Sequence, residues 1–336
     1  MKAKVSIIAG VLVGAGLFYL AFRNINFRET LAICRGANSW YVIPFSFTVV
    51  AELFLRGVKW KLLLDPVRPV RVWDAFRLEA AGLALNNVLP LRLGEIVRGT
   101  SGATLFQIPV MTVFATILVE RALDTIVLLL LLAAAVFMGG ITGGPLEGGG
   151  AYLWPVVGGL CAAVGALIFI DEIIAHHFFA GFFGRFPRLK KGLGHLALGV
   201  KAFHSVKGCA LILTAAAVQW LMNSLTFYWI ARAFGINGVV GLAKSVVLIF
   251  TAAVACSVPG MPGYFGNFEA TIAGVVAAWG VPRETGLAYA GYAHIAGYVL
   301  VTTIGLLFAY QMGHSVGKIW TQFSGGEKKD GAAPAA

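Results

Sequence analysis

Charge is what this sequence has least of. Only 12% of its 336 residues are Asp, Glu, Lys or Arg, whereas a soluble globular domain carries about 25%. With 59% apolar residues and a mean hydropathy of +0.83, no stretch is polar enough for a separate soluble catalytic domain. Several apolar runs reach the roughly 20 residues that a spanning helix needs. The composition therefore predicts an all-α integral membrane protein, with residues 1–336 as a single polytopic domain.

Cysteine is scarce as well, and recognisable catalytic motifs are missing. The four cysteines, Cys34, Cys161, Cys209 and Cys256, are scattered and form no CxxC pair, so they give no disulfide or metal signature. The sequence contains no HExxH, no clustered His and Asp ligands and no Ser/His/Asp grouping. We therefore expect no metal, no cofactor and no enzymatic activity.

Negative charge is rarer than positive charge, and the net charge is +11. In a soluble protein this excess of positive charge would suggest binding to nucleic acid. Here the Lys and Arg residues fall in short loops, as the positive-inside rule produces in membrane proteins. We predict no nucleic-acid partner and place the basic loops, with both termini, on the cytoplasmic side of a prokaryotic inner membrane.

Apolar runs predict six full spans, at residues 5–22, 40–64, 109–138, 152–170, 209–234 and 286–312. The first is long for a signal peptide and precedes Arg23 rather than a small-residue cleavage site, so we expect it to be retained. A loop with Arg28 and Arg35 follows it, and Lys59 and Lys61 are assigned to the next basic loop. The Gly-rich loop at residues 139–151 is predicted outside, and residues 313–336 form a cytoplasmic tail.

Two further apolar stretches, residues 75–105 and 242–280, are interrupted by residues that break helices. These breakers are Asn86, Asn87, Pro90 and Gly94 in the first stretch, and Pro259, Gly260, Pro262, Gly263 and Gly266 in the second. A short apolar helix that stops at such residues is typical of a re-entrant hairpin, whose backbone must be covered by protein or line a wet cavity.

The hairpins divide the chain into two similar halves, residues 1–140 and 151–312. Each half contains two spans, a hairpin and a third span. Because three crossings is an odd number, the second half must be inverted relative to the first. Inverted repeats whose broken helices meet near the midplane are a recurring transporter architecture.

Charged and polar side chains inside or beside these apolar segments are the candidate substrate-binding or translocation residues. They are Arg92, Glu95, Arg98, Glu120, Arg121, Asp124, Asn267 and Glu269. A charge near the bilayer centre costs about 2.5–3.5 kcal/mol on insertion scales, so such residues indicate a site. We expect the six residues at 92–124 to line one cavity with Asn267 and Glu269. There the arginines would bind a headgroup, and the carboxylates would balance their charge or carry protons.

Structural interpretations stand beside these functional ones. Glu120, Arg121 and Asp124 could form internal ion pairs that lock their helix to a hairpin, and Arg92 and Arg98 could lie at the cytoplasmic interface.

Four polar residues outside the candidate set also have structural interpretations. Glu52 could pair locally with Arg56, and His294 is expected to be a satisfied core histidine, with a proton relay as the alternative. Gln219 and Asn223 are four residues apart and share a helix face.

The motifs NNVLPLRLGEIVRG at 86–99, VERALD at 119–124 and PGMPGYFGNFEA at 259–270 resemble a flippase-like membrane family. It includes the transmembrane domain of lysylphosphatidylglycerol synthase and UPF0104-type membrane proteins, and the likeness spans residues 5–312. The resemblance implies an inner-membrane protein that translocates lipid. The bifunctional synthases add a soluble aminoacyl-transferase domain that this sequence does not contain, so we do not expect lysyl transfer.

Together these features predict a lipid transporter, or flippase. Its partner would be a phospholipid, a polyprenyl-phosphate-linked lipid or another amphiphile with a polar or phosphorylated headgroup. A membrane-embedded lipid-modifying enzyme and a scaffold for lipid- or glycolipid-synthesising enzymes are the alternatives.

Overall fold

The computed structural model describes residues 27–89, 92–139, 197–257 and 262–313, together with the single residues 158, 159, 162, 165 and 194. All regular secondary structure in these ranges is helical. The predicted spans at 5–22 and 152–170, the Gly-rich loop and the tail lie almost entirely outside the described residues. Pro90, Pro259 and Gly260 also lie outside them.

The helices lie within the ranges where the apolar runs occur. In chain order they are α1 (Phe27–Gly36), α2 (Val42–Leu64), α3 (Val72–Val88), α4 (Leu93–Phe106), α5 (Val110–Gly139), α6 (Val206–Ala233), α7 (Leu242–Ser257), α8 (Asn267–Ala278) and α9 (Arg283–Gln311). Short 3-10 turns occur at Ser39–Tyr41, Lys201–His204 and Pro262–Tyr264.

Four of these helical segments are long and apolar enough to cross a membrane. They are Ser39–Leu64, Val110–Gly139, Val206–Ala233 and Arg283–Gln311, with 26 to 30 residues each. At about 1.5 Å per residue, each exceeds the roughly 30 Å of a hydrocarbon core. Their bounds confirm four of the six predicted spans to within about three residues.

Two expectations about the first part of the chain are wrong. Residues 27–36 form α1 rather than a loop; Glu29 lies in its first turn and Arg35 in its last, where each complements the helix dipole. Helix α2 ends at Leu64, where the predicted span also ends, so Lys59 and Lys61 lie within the span and their assignment to the basic loop is wrong. Both lysines have carboxylate partners.

The first interrupted stretch forms two helices, α3 and α4, that pack against each other. The chain is extended at Leu89 and left-handed at Arg92, with φ 55°. The helices approach so closely that a Cβ at Gly94 would lie 2.0 Å from the backbone oxygen of Gly82. Gly94 therefore acts at a helix–helix contact, where only glycine fits.

The second interrupted stretch forms α7 and α8, which also pack together. Positive φ values at Gly263 (73°), Tyr264 (63°) and Gly266 (90°) turn the chain between them. The side chain of Glu269 accepts a hydrogen bond of 2.7 Å from the Gly266 backbone N–H, which caps the start of α8. The predicted breakers Gly263 and Gly266 thus lie in the turn that leads into α8.

Contacts between the helices follow a paired pattern. Helix α2 packs extensively along α6; α3 packs against α9, and α7 packs correspondingly against α5. The contacts α2–α3, α3–α4 and α4–α5 have counterparts in α6–α7, α7–α8 and α8–α9. The largest group of buried apolar side chains joins α2 and α5 to helices α6 to α9. The two sets of helices, α2 to α5 and α6 to α9, therefore share one core.

Candidate functional site: a central cavity beside a buried charge cluster

Five charged side chains from four helices are buried together. They are Lys59 of α2, Glu79 of α3, Arg98 of α4, and Glu120 and Asp124 of α5, each 4% exposed or less. Charges in a membrane bundle are stable only when they pair. We call this group the charge cluster.

Arg98 and Lys59 each bridge two carboxylates. The Nη2 atom of Arg98 lies 2.5 Å from Glu79 Oε1 and 2.6 Å from Glu120 Oε2. The Nζ atom of Lys59 lies 3.4 Å from Glu120 Oε1 and also pairs with Asp124. The cluster therefore ties α2, α3, α4 and α5 together.

Helix α6 joins the cluster through two polar side chains. Gln219 Oε1 accepts a hydrogen bond of 2.6 Å from Lys59 Nζ, and Trp220 Nε1 donates one of 3.2 Å to Asp124 Oδ1. The Arg98 guanidinium also lies 4.0 Å from the ring centre of Trp60. The contacts of Gln219 and Trp220 therefore attach α6 to the cluster, next to α2, the helix along which it packs.

The cluster is balanced in charge. Arg121, whose Nη2 atom lies 3.2 Å from Glu120 Oε1, adds a third basic group to three carboxylates. Pairing offsets much of the desolvation cost of burying these ions. Because the basic groups already have acidic partners, this arrangement is suited to holding helices in place.

A cavity of about 250 Å³ lies beside the cluster, between α2, α3, α6, α7, α8 and α9. Its polar lining groups include Glu52, Arg56, Asn87, Asn223, Thr226 and His294. Much of the remaining lining is apolar or aromatic, including Phe45, Phe227 and Phe268. A largely apolar wall with a few convergent polar groups is the usual character of a ligand site.

One wall of the cavity contains an ion pair on α2. Arg56 Nε lies 2.5 Å from Glu52 Oε1, which confirms the predicted local pairing. Asn223 Nδ2 donates to the same Glu52 oxygen at 3.5 Å. The Arg56 guanidinium lies 5.7 Å from the ring centre of Trp220. Since Trp220 also binds Asp124, it connects this wall to the charge cluster.

The opposite wall contains a second pair. His294 Nδ1 of α9 lies 2.6 Å from Glu269 Oε1 of α8. The imidazole centre is 4.6 Å from the ring centre of Phe265 and 4.4 Å from that of Phe268. His294 is therefore partnered, as expected of a core histidine, but it also lines the cavity.

The structure separates the eight predicted site residues into different places. Arg98, Glu120, Arg121 and Asp124 lie in or on the charge cluster, and Glu269 lies behind His294. None of the eight is among the residues that line this cavity. The single cavity lined by all eight, which the sequence predicted, is therefore not found in the described part of the chain; the structure shows a charge cluster and a separate cavity next to it. Their contact with a substrate remains a prediction.

The remaining predicted residues lie near the breaks. Arg92 is exposed, and its Nη2 atom donates to the Cys256 carbonyl oxygen at 2.8 Å; Glu95 is half-buried and Asn267 is 3% exposed. The Arg92 contact joins the first break to the end of α7. The two interrupted regions therefore meet, as the paired motifs predict.

Sequence reasoning missed Lys59 and Glu79 as site residues. Lys59 continues the spacing of Glu52 and Arg56 along one helix face, which is a signal for a shared buried face. Glu79 is the only acidic residue in the first part of the interrupted stretch, residues 75–89, which is the corresponding signal on α3. Asn87, predicted only as a breaker, lines the cavity.

Comparisons with known proteins identify the family of this chain. The family model described as "Lysylphosphatidylglycerol synthase TM region" matches residues 7–305. A "UPF0104 membrane protein" of Methanothermobacter thermautotrophicus is 23% identical over 289 residues, covering 80% of this chain and 83% of that protein. No solved structure matches. The chain is therefore a multi-pass membrane protein that belongs to the lysylphosphatidylglycerol synthase transmembrane-region family.

Proposed function

We propose that this protein is a lipid transporter, a flippase that moves a lipid with a polar or phosphorylated headgroup between the leaflets of a prokaryotic inner membrane. The observation that carries the proposal is the cavity: polar side chains of α2, α3, α6 and α9 converge on it, and residues of both interrupted helix pairs contribute to its otherwise largely apolar wall. A headgroup needs such a polar path, while its acyl or prenyl chains can stay in the surrounding lipid.

The contact pattern supports two inverted halves. Each contact named for one set of helices has a counterpart in the other, as two repeats related by a two-fold axis in the membrane plane would produce. In this arrangement α3–α4 and α7–α8 are re-entrant hairpins that enter from opposite faces. Six full spans and the basic loops then place both termini in the cytoplasm.

The Glu52–Arg56 pair is suitably placed for a midplane site. Glu52 lies about 20 Å from either end of the span Ser39–Leu64, at about 1.5 Å per residue. Exposed aromatic residues lie near both ends of the bundle: Trp40 at the start of α2, and Trp73 and Tyr310 at the other end. Such residues are typical of membrane–water interfaces.

The polar groups of the cavity suggest how a headgroup binds. Arg56 can offer two parallel N–H donors to a phosphate, the geometry for which arginine is best suited. Asn87 and Asn223 can hydrogen-bond to hydroxyl or ester oxygens. The lipid leaves the cavity with its covalent structure unchanged, and the charge cluster keeps α2 and α6 fixed beside it.

The family supports the lipid as partner. The family is named after the transmembrane region of lysylphosphatidylglycerol synthase, and lysylphosphatidylglycerol is a phospholipid. We propose that this chain shares with that region the handling of a lipid headgroup. Aminoacyl transfer is not part of the proposal.

We predict that the double substitution Glu52→Gln/Arg56→Gln slows translocation about tenfold or more in vesicles reconstituted with the purified protein and fluorescent phospholipids. Hydrogen bonds to a charged group contribute about 1.5–3 kcal/mol, and about 1.4 kcal/mol is a factor of ten. Changing both residues leaves no unpaired buried charge. Back-extraction of the labelled lipid by albumin measures the rate.

Arg232→Gln is the matched control, because Arg232 is an exposed arginine that contacts Tyr41 and Tyr228 away from the cavity. It should translocate lipid at the unsubstituted rate. Equal rates for the double variant and the control would remove the cavity from the pathway. Absence of protein-dependent translocation across a broad lipid panel would contradict the function itself.

A further inference from the structure

Among the described residues, the Glu269–His294 pair is the contact between α8 and α9 that joins a carboxylate to an imidazole. An imidazole gains or loses a proton between about pH 5 and 8 when unperturbed. With a neutral ring the contact is a hydrogen bond, and with a protonated ring it is an ion pair. Glu269 is 3% exposed, and its second oxygen accepts the Gly266 N–H, so its position is fixed from the α8 side.

The first hairpin reaches α9 through a contact of a different kind. Asn87 Nδ2 of α3 donates to Thr302 Oγ1 of α9 at 2.9 Å. Neither group titrates near neutral pH. Helix α9 therefore holds one interrupted pair by a contact that does not respond to pH and the other by a contact that does.

The groups around His294 set the charge of the cavity. The other titratable or charged groups that line it are Glu52 and Arg56 of α2, Cys256 of α7, Tyr264 of the turn and Tyr298 of α9. From α3 and α6 the uncharged side chains of Asn87 and Asn223 line the cavity. Helix α1 also contacts α9, where the Cys34 thiol lies against the Ala288 carbonyl oxygen. Arg92 lies over the Tyr264 ring and donates to the Cys256 carbonyl oxygen, and Glu95 also acts on Tyr264. With thiol and phenols neutral, the three carboxylates Glu52, Glu95 and Glu269 and the two arginines leave one net negative charge when the imidazole is neutral.

A phosphate headgroup that enters this cavity meets a net negative environment unless His294 carries a proton. Protonation of the imidazole makes these groups neutral as a set, and it places an additional N–H donor on the ring nitrogen that faces away from Glu269. Binding of the anion and binding of the proton therefore favour each other, and this coupling is reciprocal.

We propose that His294, held by Glu269, is the proton-binding site of this transporter, and that one proton enters the cavity with each anionic headgroup. The coupling rests on the proposed function, whereas the titration of His294 in the cavity wall does not. The chemistry is a single protonation: the imidazole nitrogen accepts a proton when the headgroup binds and returns it to water when the headgroup leaves.

The first test measures translocation of a fluorescent phosphatidylglycerol in reconstituted vesicles with equal pH on both sides. We expect the rate at about pH 6 to exceed that at about pH 8 by roughly fivefold or more, the lower end of typical coupling between sites. His294→Gln should remove this dependence. Asn87→Ala, which breaks the contact that does not titrate, should slow transport at both pH values and keep their ratio.

The second test needs no transport. The full-length protein, labelled with ¹⁵N-histidine in phosphatidylglycerol nanodiscs, has six histidines, and the resonances of His294 are those absent from His294→Gln. We expect them to shift over the range in which an imidazole gains or loses its proton, about pH 5 to 8, and to respond differently in Glu269→Gln. Resonances that stay constant over this range would overturn the proton site.

The two tests separate the failures. If wild-type protein translocates no lipid at any pH, the proposed function fails, and the resonances of His294 alone decide whether the proton site exists. If wild-type protein translocates lipid but His294→Gln keeps the pH ratio, the coupling is overturned while the transport function stands.

Discussion

Replacing Lys59 by methionine is expected to destabilise the protein by about 3–5 kcal/mol, the usual cost of removing one partner from a buried ion pair. The substitution keeps the length of the side chain but removes the cation that Glu120 and Asp124 share. It also removes the donor to Gln219. Buried carboxylates would then face each other without a bridging charge, so the thermal unfolding midpoint of the purified protein should fall clearly.

Lys61→Met is the matched control, two residues away on the same helix. Lys61 pairs with Asp65, and both side chains are 28% exposed, which is the kind of pair that contributes about 0–1 kcal/mol. Its unfolding midpoint should stay close to that of the unsubstituted protein. A second variant, Lys59→Met/Asp124→Leu, should regain part of the loss, because an apolar replacement of both ions removes the imbalance. Equal midpoints for the two single lysine variants would contradict a supporting role for the cluster.

The second large effect is expected from Gly297→Leu, which should reduce lipid translocation to the level of protein-free vesicles. Gly297 lines the cavity, and a Cβ there would meet only the Phe45 ring, at 3.9 Å. The Cβ of a leucine therefore meets no backbone atom, and its side chain would occupy the space that a headgroup needs. Leucine also favours the helical state over glycine by up to about 1 kcal/mol, so the protein should remain folded.

Gly291→Leu provides the control for this substitution. Gly291 lies on the same helix, has nothing within 4 Å of its Cβ position and is not among the residues that line the cavity. Its unfolding midpoint and its translocation rate should both match those of the unsubstituted protein. If Gly297→Leu also translocates lipid at the full rate while folded, headgroups do not pass through this cavity.

The spans and the breaks could be predicted because their signals are local. Apolar runs placed α2, α5, α6 and α9 to within about three residues, and Gly263 and Gly266 do turn the chain between α7 and α8. Helix α1 was missed because it is short and its arginines are typical of a loop. Its position depends on packing against α9, which no local pattern records.

Lys59 shows why the site was only partly predictable. Its charge near the end of an apolar run is what a cytoplasmic loop would show, and the partners that bury it lie 65 and 160 residues away. Arg98, Glu120 and Asp124 were identified because an unexplained charge in apolar sequence is conspicuous by itself. Their role beside the cavity rather than in it depends on how five helices assemble.

The central claim is that a lipid headgroup enters the cavity between the two interrupted helix pairs. Photocrosslinking tests it most directly: phosphatidylglycerol with a photoreactive group in its headgroup is reconstituted with the protein, irradiated, and the adducts are located by mass spectrometry. We predict adducts on the cavity walls, on peptides that contain Asn87, Asn223 or Tyr298, and their loss in Gly297→Leu. Adducts confined to exposed outer positions such as Trp40 and Tyr310, unchanged in Gly297→Leu, would contradict it.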